Sequence, residues 1–194
     1  MAGIDRSPTM IAAGQREGRG LSNLTFYRRS IERFRLPEAS FDAVLLMSET
    51  FPVMVENAEV LSHLRSVAGV LRKGGLYCVD VDRHDSVEDL RRRRLWRRRK
   101  VRKDQVCVDV REFQNPIAWH AAAWIYEVEC TIRFPDRMVV THDLIPVRYT
   151  VPKLLDLAAR ASGVFEMIAC YADLSFEVPI DRCDRRWWGI LRRV

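Results

Sequence analysis

Polar side chains collect at two points of this chain in a pattern that chemistry can use. Ser48 and Glu49 follow a short apolar run that opens at Phe41, and Asp80 and Asp82 close a second run. With His84 and Asp85, the two aspartates offer the oxygen-rich set that a hard cation takes. Acidic residues at strand ends commonly serve no metal, and none is expected here. Glu49, His120 and His142 are the candidates for general base chemistry. A histidine on a hairpin is more often satisfied by a partner or exposed than catalytic. No Ser–His–Asp or Cys–His grouping is present to make a nucleophile.

The elements that would position these groups follow from periodicity. Phe41, Ala43, Val44, Leu45 and Leu46 make a short strand. Val60, Leu64, Val67 and Leu71 then recur at one helical face. Gly74-Gly75 stops that helix before a second strand through Leu76, Tyr77, Cys78 and Val79. Strand, helix, strand predicts a βαβ unit, whose parallel strands are expected to be covered on both faces. Ligands bind beyond the carboxyl ends of such strands, which is where Ser48, Glu49, Asp80 and Asp82 fall.

The 194 residues suffice for one domain with a full core, and the hydrophobic fraction of 48% is ordinary. No apolar run reaches the length of a membrane span and no signal-peptide core opens the chain, so a soluble cytoplasmic protein is expected. Five cysteines, none in a C-x-x-C pair, read as reduced packing thiols. The net charge of +6 is local: Arg91 opens and Lys103 closes a run with ten basic residues and no acidic one. The remainder of the chain is net acidic.

Ser7-Pro8 starts a helix, with Ser7 as the cap and Pro8 in its first position, and Gly14, Gly18 and Gly20 are expected to break it. Leu24 to Tyr27 reads as a short strand. Residues 85 to about 103 read as a helix that carries the basic run. Residues 106–113, 123–134 and 138–145 alternate apolar and polar, which predicts an antiparallel three-stranded insertion. Within it, Trp119, Trp124, Tyr126 and Phe134 are expected to be core. A helix capped by Thr150 and stopped by Gly163 follows, then strands at 165–171 and 187–191. The expected organisation is one domain over residues 1–194, with 104–148 as the insertion.

In this order the chain resembles the class I S-adenosylmethionine-dependent methyltransferases. Four signatures carry the resemblance: Gly3-Ile4-Asp5-Arg6-Ser7-Pro8-Thr9-Met10; Leu36-Pro37 leading to Phe41-Asp42-Ala43-Val44; Leu71-Arg72-Lys73-Gly74-Gly75; and the tail through Tyr149-Thr150, Gly163-Val164-Phe165 and Trp187-Trp188-Gly189-Ile190-Leu191. It implies an α/β, Rossmann-like methyltransferase sheet with an antiparallel β insertion. It implies S-adenosylmethionine as cofactor, with Asp5 accepting from the ribose hydroxyls, Met10 packing on the adenine, Ser30 and Ile31 lining the adenine edge and Met47 beside the methionine part. A carboxylate is acceptor-only and suits two hydroxyls. The competing reading of Asp5 is a helix-capping carboxylate. The family commonly has Asp where Ser30 stands.

The resemblance also places a strand and a glycine-rich loop before Asp5, and neither is in this sequence. The sheet is therefore expected to be N-terminally incomplete, with a gap between the Asp5 strand and the Phe41 strand, and truncation is the expected cause. The expected function is methyl transfer to a small-molecule acceptor, with no catalytic residue assigned. The alternative is a non-catalytic, truncated methyltransferase-like binding module, RNA-associated through the run from Arg91 to Lys103, where Trp96 would add stacking. A solvated basic face is the plainer reading of that run.

Overall fold

The computed structural model describes residues 1–37, 40–82, 94–115, 123–175, 177–183 and 186–194, without the side chains of residues 94, 96, 97 and 114. Strand β1 (Ala2–Asp5) leads into helix α1 (Pro8–Glu17) and strand β2 (Thr25–Arg28). Ser7 caps α1 by accepting from the Met10 amide at 3.3 Å, as its position predicts. The helix runs through Gly14 and ends at its C-cap Gly18. A Cβ on Gly14 would lie 2.7 Å from the Phe26 ring, so that glycine lets α1 close onto β2.

Strand β3 (Phe41–Leu46), a 3-10 turn at Phe51–Val53, helix α2 (Asn57–Val70) and strand β4 (Leu71–Asp82) form the expected parallel unit. A capping box between Glu56 and Glu59 starts α2. Gly74 and Gly75 lie inside β4 rather than before it. Gly74 has φ 75°, and a Cβ on Gly75 would lie 2.8 Å from the Arg72 carbonyl. The pair therefore makes the irregularity by which Leu71 faces Phe41 and Leu76 faces Ala43.

Next come strands β5 (Arg94–Lys103), β6 (Val106–Gln114), β7 (Ala123–Arg133) and β8 (Met138–Arg148). They form an antiparallel sheet in the order β5-β6-β7-β8, one strand more than the alternation predicts. The additional strand is β5, for which a helix was expected. Its register against β6 sets basic side chains beside acidic ones: Arg98 donates to Asp109 from Nε at 3.0 Å and from Nη2 at 2.7 Å, and Arg99 donates to Glu112 at 2.8 Å. A basic edge strand is also a poor template for further pairing. The chain ends with α3 (Pro152–Ser162), β9 (Phe165–Tyr171), a 3-10 turn at Ile180–Arg182 and β10 (Arg186–Arg193). Val151, not Thr150, is the cap of α3, while Gly163 at φ 71° ends it as expected.

Strands β3, β4, β10 and β9 pair in that order, and β1 pairs only with β2. The main core lies between the four-stranded sheet and helices α2 and α3. Tyr77, Val79 and Val81 of β4 point into it with Leu191 and Trp187, against Leu64 and Val67 of α2 and Leu155 and Ala159 of α3. Gly189 is required here, because a Cβ would lie 2.5 Å from Leu155. The opposite face departs from the expectation of cover on both sides. Leu45 is 65% and Leu76 40% exposed, because α1 packs on β1 and β2. No helix among the described residues is long and apolar enough to cross a membrane. All five cysteines are free, and burial pushes the Cys78 thiol up to about 11, so it stays protonated.

Candidate active site

Asp5 ends β1 and is partly buried. Its Oδ1 accepts from the Ser7 amide at 2.7 Å, which orients the carboxylate and fixes the entry into α1. Two readings of Asp5 therefore coexist: it supports the helix start, and a carboxylate has further lone pairs for a ligand. It lines a cavity of about 420 Å³ with Ser30, Ile31, Glu32, Thr50 and Ile145 among its neighbours. Ile4, Val53 and Pro146 add apolar wall. Three of the five residues that the sequence singles out thus meet in one place. Met10 is on α1, 58% exposed, and is not part of this wall. Met47 is half-buried and also outside it, and its carbonyl accepts from Thr50 Oγ1 at 2.7 Å.

Glu32 was not anticipated. Ser30 donates its hydroxyl to the Glu32 carboxylate, and both face the cavity. Where the family commonly has one Asp, this chain presents a hydroxyl and a carboxylate two residues apart. That spacing puts alternate residues of an extended segment on one side, which is the signal that could have found it.

A second cavity of about 240 Å³ shares Thr50, Val53 and Ile145 with the first. Its polar wall is Ser48, Glu49, Glu112 and Tyr126, and its apolar wall includes Val128 and Val147 from the insertion. Strand β8 lies against the 3-10 turn at Phe51–Val53, and Arg148 donates to Asn57 Oδ1 at 3.0 Å. These contacts hold the antiparallel sheet over the carboxyl ends of β3 and β4. Among the described residues, no lysine or arginine lines this second cavity.

The turn between the cavities has unusual backbone. Ser48 has φ 63° and Glu49 φ 58°, the left-handed region that non-glycine residues enter at a cost. Asp80 holds them there: its Oδ2 accepts from the Ser48 amide at 3.1 Å and its Oδ1 from the Glu49 amide at 3.0 Å. Arg186 completes the clamp, donating to Asp80 Oδ2 at 2.8 Å and to Asp82 Oδ1 at 2.7 Å. Asp80 is fully buried and Asp82 nearly so. The two aspartates considered as metal ligands are thus engaged by a guanidinium and by backbone, while His84 and Asp85 lie outside the described residues. Arg186 was missed because nothing local announces it; β10 brings it beside Asp82 from the far end of the chain.

His63 supports the first cavity from behind. Its Nδ1 contacts the Ile31 carbonyl at 2.7 Å and its Nε2 the Tyr77 hydroxyl at 2.6 Å. A carbonyl only accepts, so Nδ1 carries the proton. Burial lowers the His63 pKa to about 4, so the ring is neutral and Nε2 accepts from Tyr77. Of the other candidate bases, His142 bonds Glu127 at 2.9 Å on the exposed hairpin, and His120, with Trp119, lies outside the described residues. Trp124 and Tyr126 are buried in the core of the insertion as expected, while Phe134 is only half-buried, with the Arg137 guanidinium over its ring.

The family model of a methyltransferase domain matches residues 1–75. Known structures extend the likeness over the whole chain. An S-adenosylmethionine-dependent methyltransferase from Clostridium acetobutylicum superposes with TM-score 0.77 at 10% identity, over 98% of this chain and 74% of that one. A sugar N-methyltransferase from Streptoalloteichus gives 0.74 at 18%, over 97% and 70%. An amino pentose methyltransferase from Micromonospora echinaspora, solved with S-adenosylmethionine bound, gives 0.71 at 14%, over 100% and 73%. No curated protein matches the chain. The fold is that of the S-adenosylmethionine-dependent methyltransferases on which it superposes, and residues 1–75 match the model of a methyltransferase domain.

Proposed function

We propose that the chain binds S-adenosylmethionine in the cavity beside Asp5 and methylates a small molecule seated in the adjoining cavity. The observation that carries this reading is the meeting of Asp5, Ser30 and Ile31 in one hollow that shares Thr50, Val53 and Ile145 with a second. The donor set suits an adenosyl group. Asp5 accepts from ribose hydroxyls, Glu32 and Ser30 meet a polar base edge, and Ile4, Ile31, Val53 and Pro146 pack on the ring. Bound S-adenosylmethionine supplies an electrophilic methyl at its sulfonium. The chain's own part is to place a nucleophile in line with that methyl and to exclude water, which is where such catalysis gains most. Glu49 and Tyr126, at the wall of the second cavity, orient the acceptor, and Glu49 takes its proton.

Two carboxylates, with no lysine or arginine among the described residues of that wall, favour an acceptor carrying an amine or several hydroxyls. Neighbours that act on sugars support this class. RNA association through residues 91–103 is the weaker alternative, because Arg98 and Arg99 are already engaged by Asp109 and Glu112.

Isothermal titration tests the cofactor. S-adenosylmethionine should bind with micromolar affinity, and Asp5→Ala should weaken it at least tenfold. Absence of binding, or binding indifferent to Asp5→Ala, would overturn the assignment. For the acceptor side, Glu49→Gln should leave cofactor affinity within about twofold and lower turnover on an amino sugar by ~10²-fold, the usual scale for loss of a proton-accepting group. Release of S-adenosylhomocysteine reports it, and unchanged turnover would remove Glu49 from the mechanism.

A further inference from the structure

A third cavity, about 600 Å³, is larger than either of these and shares no residue with them. Its walls are the extended segment after β2 and the outward side of the second half of α2. Phe34 anchors that segment: it is 7% exposed, and its amide donates to Ser66 Oγ at 3.1 Å. On either side of it, Arg33 and Arg35 line the cavity, and Arg65 joins them from α2. None of the three forms an ion pair with a described residue, and no carboxylate lines the cavity among the described residues. The three arginines are exposed, so their charges face solvent and are open to an anion.

Gly69 also lines the cavity and is exposed. It lies inside α2, where glycine is a poor helix former. A Cβ at this position would meet no protein atom within 4 Å, so packing does not demand the glycine. It lies one helical turn from Arg65, and Ser62 lies one turn the other way, so all three share a helix face. Without a side chain, Gly69 leaves that wall of the arginine-lined cavity open. Guanidinium is the side chain best matched to phosphate, through paired parallel hydrogen bonds.

We propose that this cavity binds the diphosphate group of a small molecule, with Arg33, Arg35 and Arg65 gripping its oxygens and the Ser62 hydroxyl donating to it. Titration with inorganic pyrophosphate at fixed ionic strength tests this. Saturable binding of one equivalent is expected, with a higher melting temperature. Arg33→Gln and Arg65→Gln should each weaken it at least fivefold without changing the melting temperature of the free protein. Gly69→Ala should raise that temperature yet weaken pyrophosphate binding, opposite signs that a merely structural glycine would not produce. A nucleoside diphosphate measured beside pyrophosphate identifies the source: tighter binding assigns a nucleotide ester, equal binding a free diphosphate, and both uphold the site. Lack of saturation, or binding unaltered in the Arg33→Gln/Arg65→Gln double variant, would overturn it.

Discussion

Asp80→Ala is expected to lower the unfolding free energy by ~4 kcal/mol, the scale for removing one partner of a buried ion pair. The loss has three parts. Arg186, 29% exposed in its side chain, keeps Asp82 and the charge of Glu49 but loses one of its two aspartates. The part-buried amides of Ser48 and Glu49 lose their acceptor, each at a cost below the ~1–3 kcal/mol of a fully buried orphan. The left-handed turn also loses what holds it. Asp80→Asn keeps the shape but offers only one acceptor oxygen, so it should cost less. Ser48→Gly supplies a residue that enters this backbone region freely. It should relieve strain in the parent, where Asp80 holds the turn, and relieve less in the Asp80→Ala background, where the turn is free to relax. Urea unfolding of the four variants measures the coupling. Simple additivity of Asp80→Ala and Ser48→Gly would mean that Asp80 does not hold the turn. Because Thr50 lines both cavities immediately after this turn, the same variants should lose acceptor turnover more than cofactor affinity.

The second large effect is a pH dependence rooted in His63. In the folded protein its pKa is lowered from 6.5 to about 4 by burial, while the unfolded chain retains the ordinary value. Between these values the unfolded state holds more protons, so stability rises with pH across the window. From pH 6.5 down to pH 4 the protein should therefore lose up to ~3 kcal/mol from this group alone. Protonated, the ring could no longer accept from Tyr77, and a charge would sit among Phe34, Phe51 and Tyr77. His63→Gln retains a donor and an acceptor without a titration. It should be less stable than the parent at neutral pH and converge on it as pH falls to 4. A parent-minus-variant difference that stays flat from pH 6.5 to 4 would contradict this account. Since His63 also holds the Ile31 carbonyl beside the first cavity, cofactor affinity should weaken over the same acid range.

Much of the framework was readable from residue order alone. The βαβ unit at Phe41–Leu46, Asn57–Val70 and Leu71–Asp82 follows from the helical spacing of Val60, Leu64 and Val67 between two short apolar runs. Ser7-Pro8 and Gly163 marked helix ends, because capping and left-handed backbone are local requirements. Asp5, Ser30 and Ile31 were named from motif order, and they line one cavity.

What residue order could not settle depends on partners far along the chain. The run around Arg98 has a composition that either a helix or a strand accepts, and its pairing with β6 decided for strand. Gly14 looked like a helix break, but the Phe26 ring beside it explains why the helix needs no side chain there. Asp80 looked like an open carboxylate until Arg186, 106 residues on, and the Ser48–Glu49 turn reached it. Local rules operate over one or two turns of chain, whereas a buried charge is settled by whichever opposite charge the fold delivers to it.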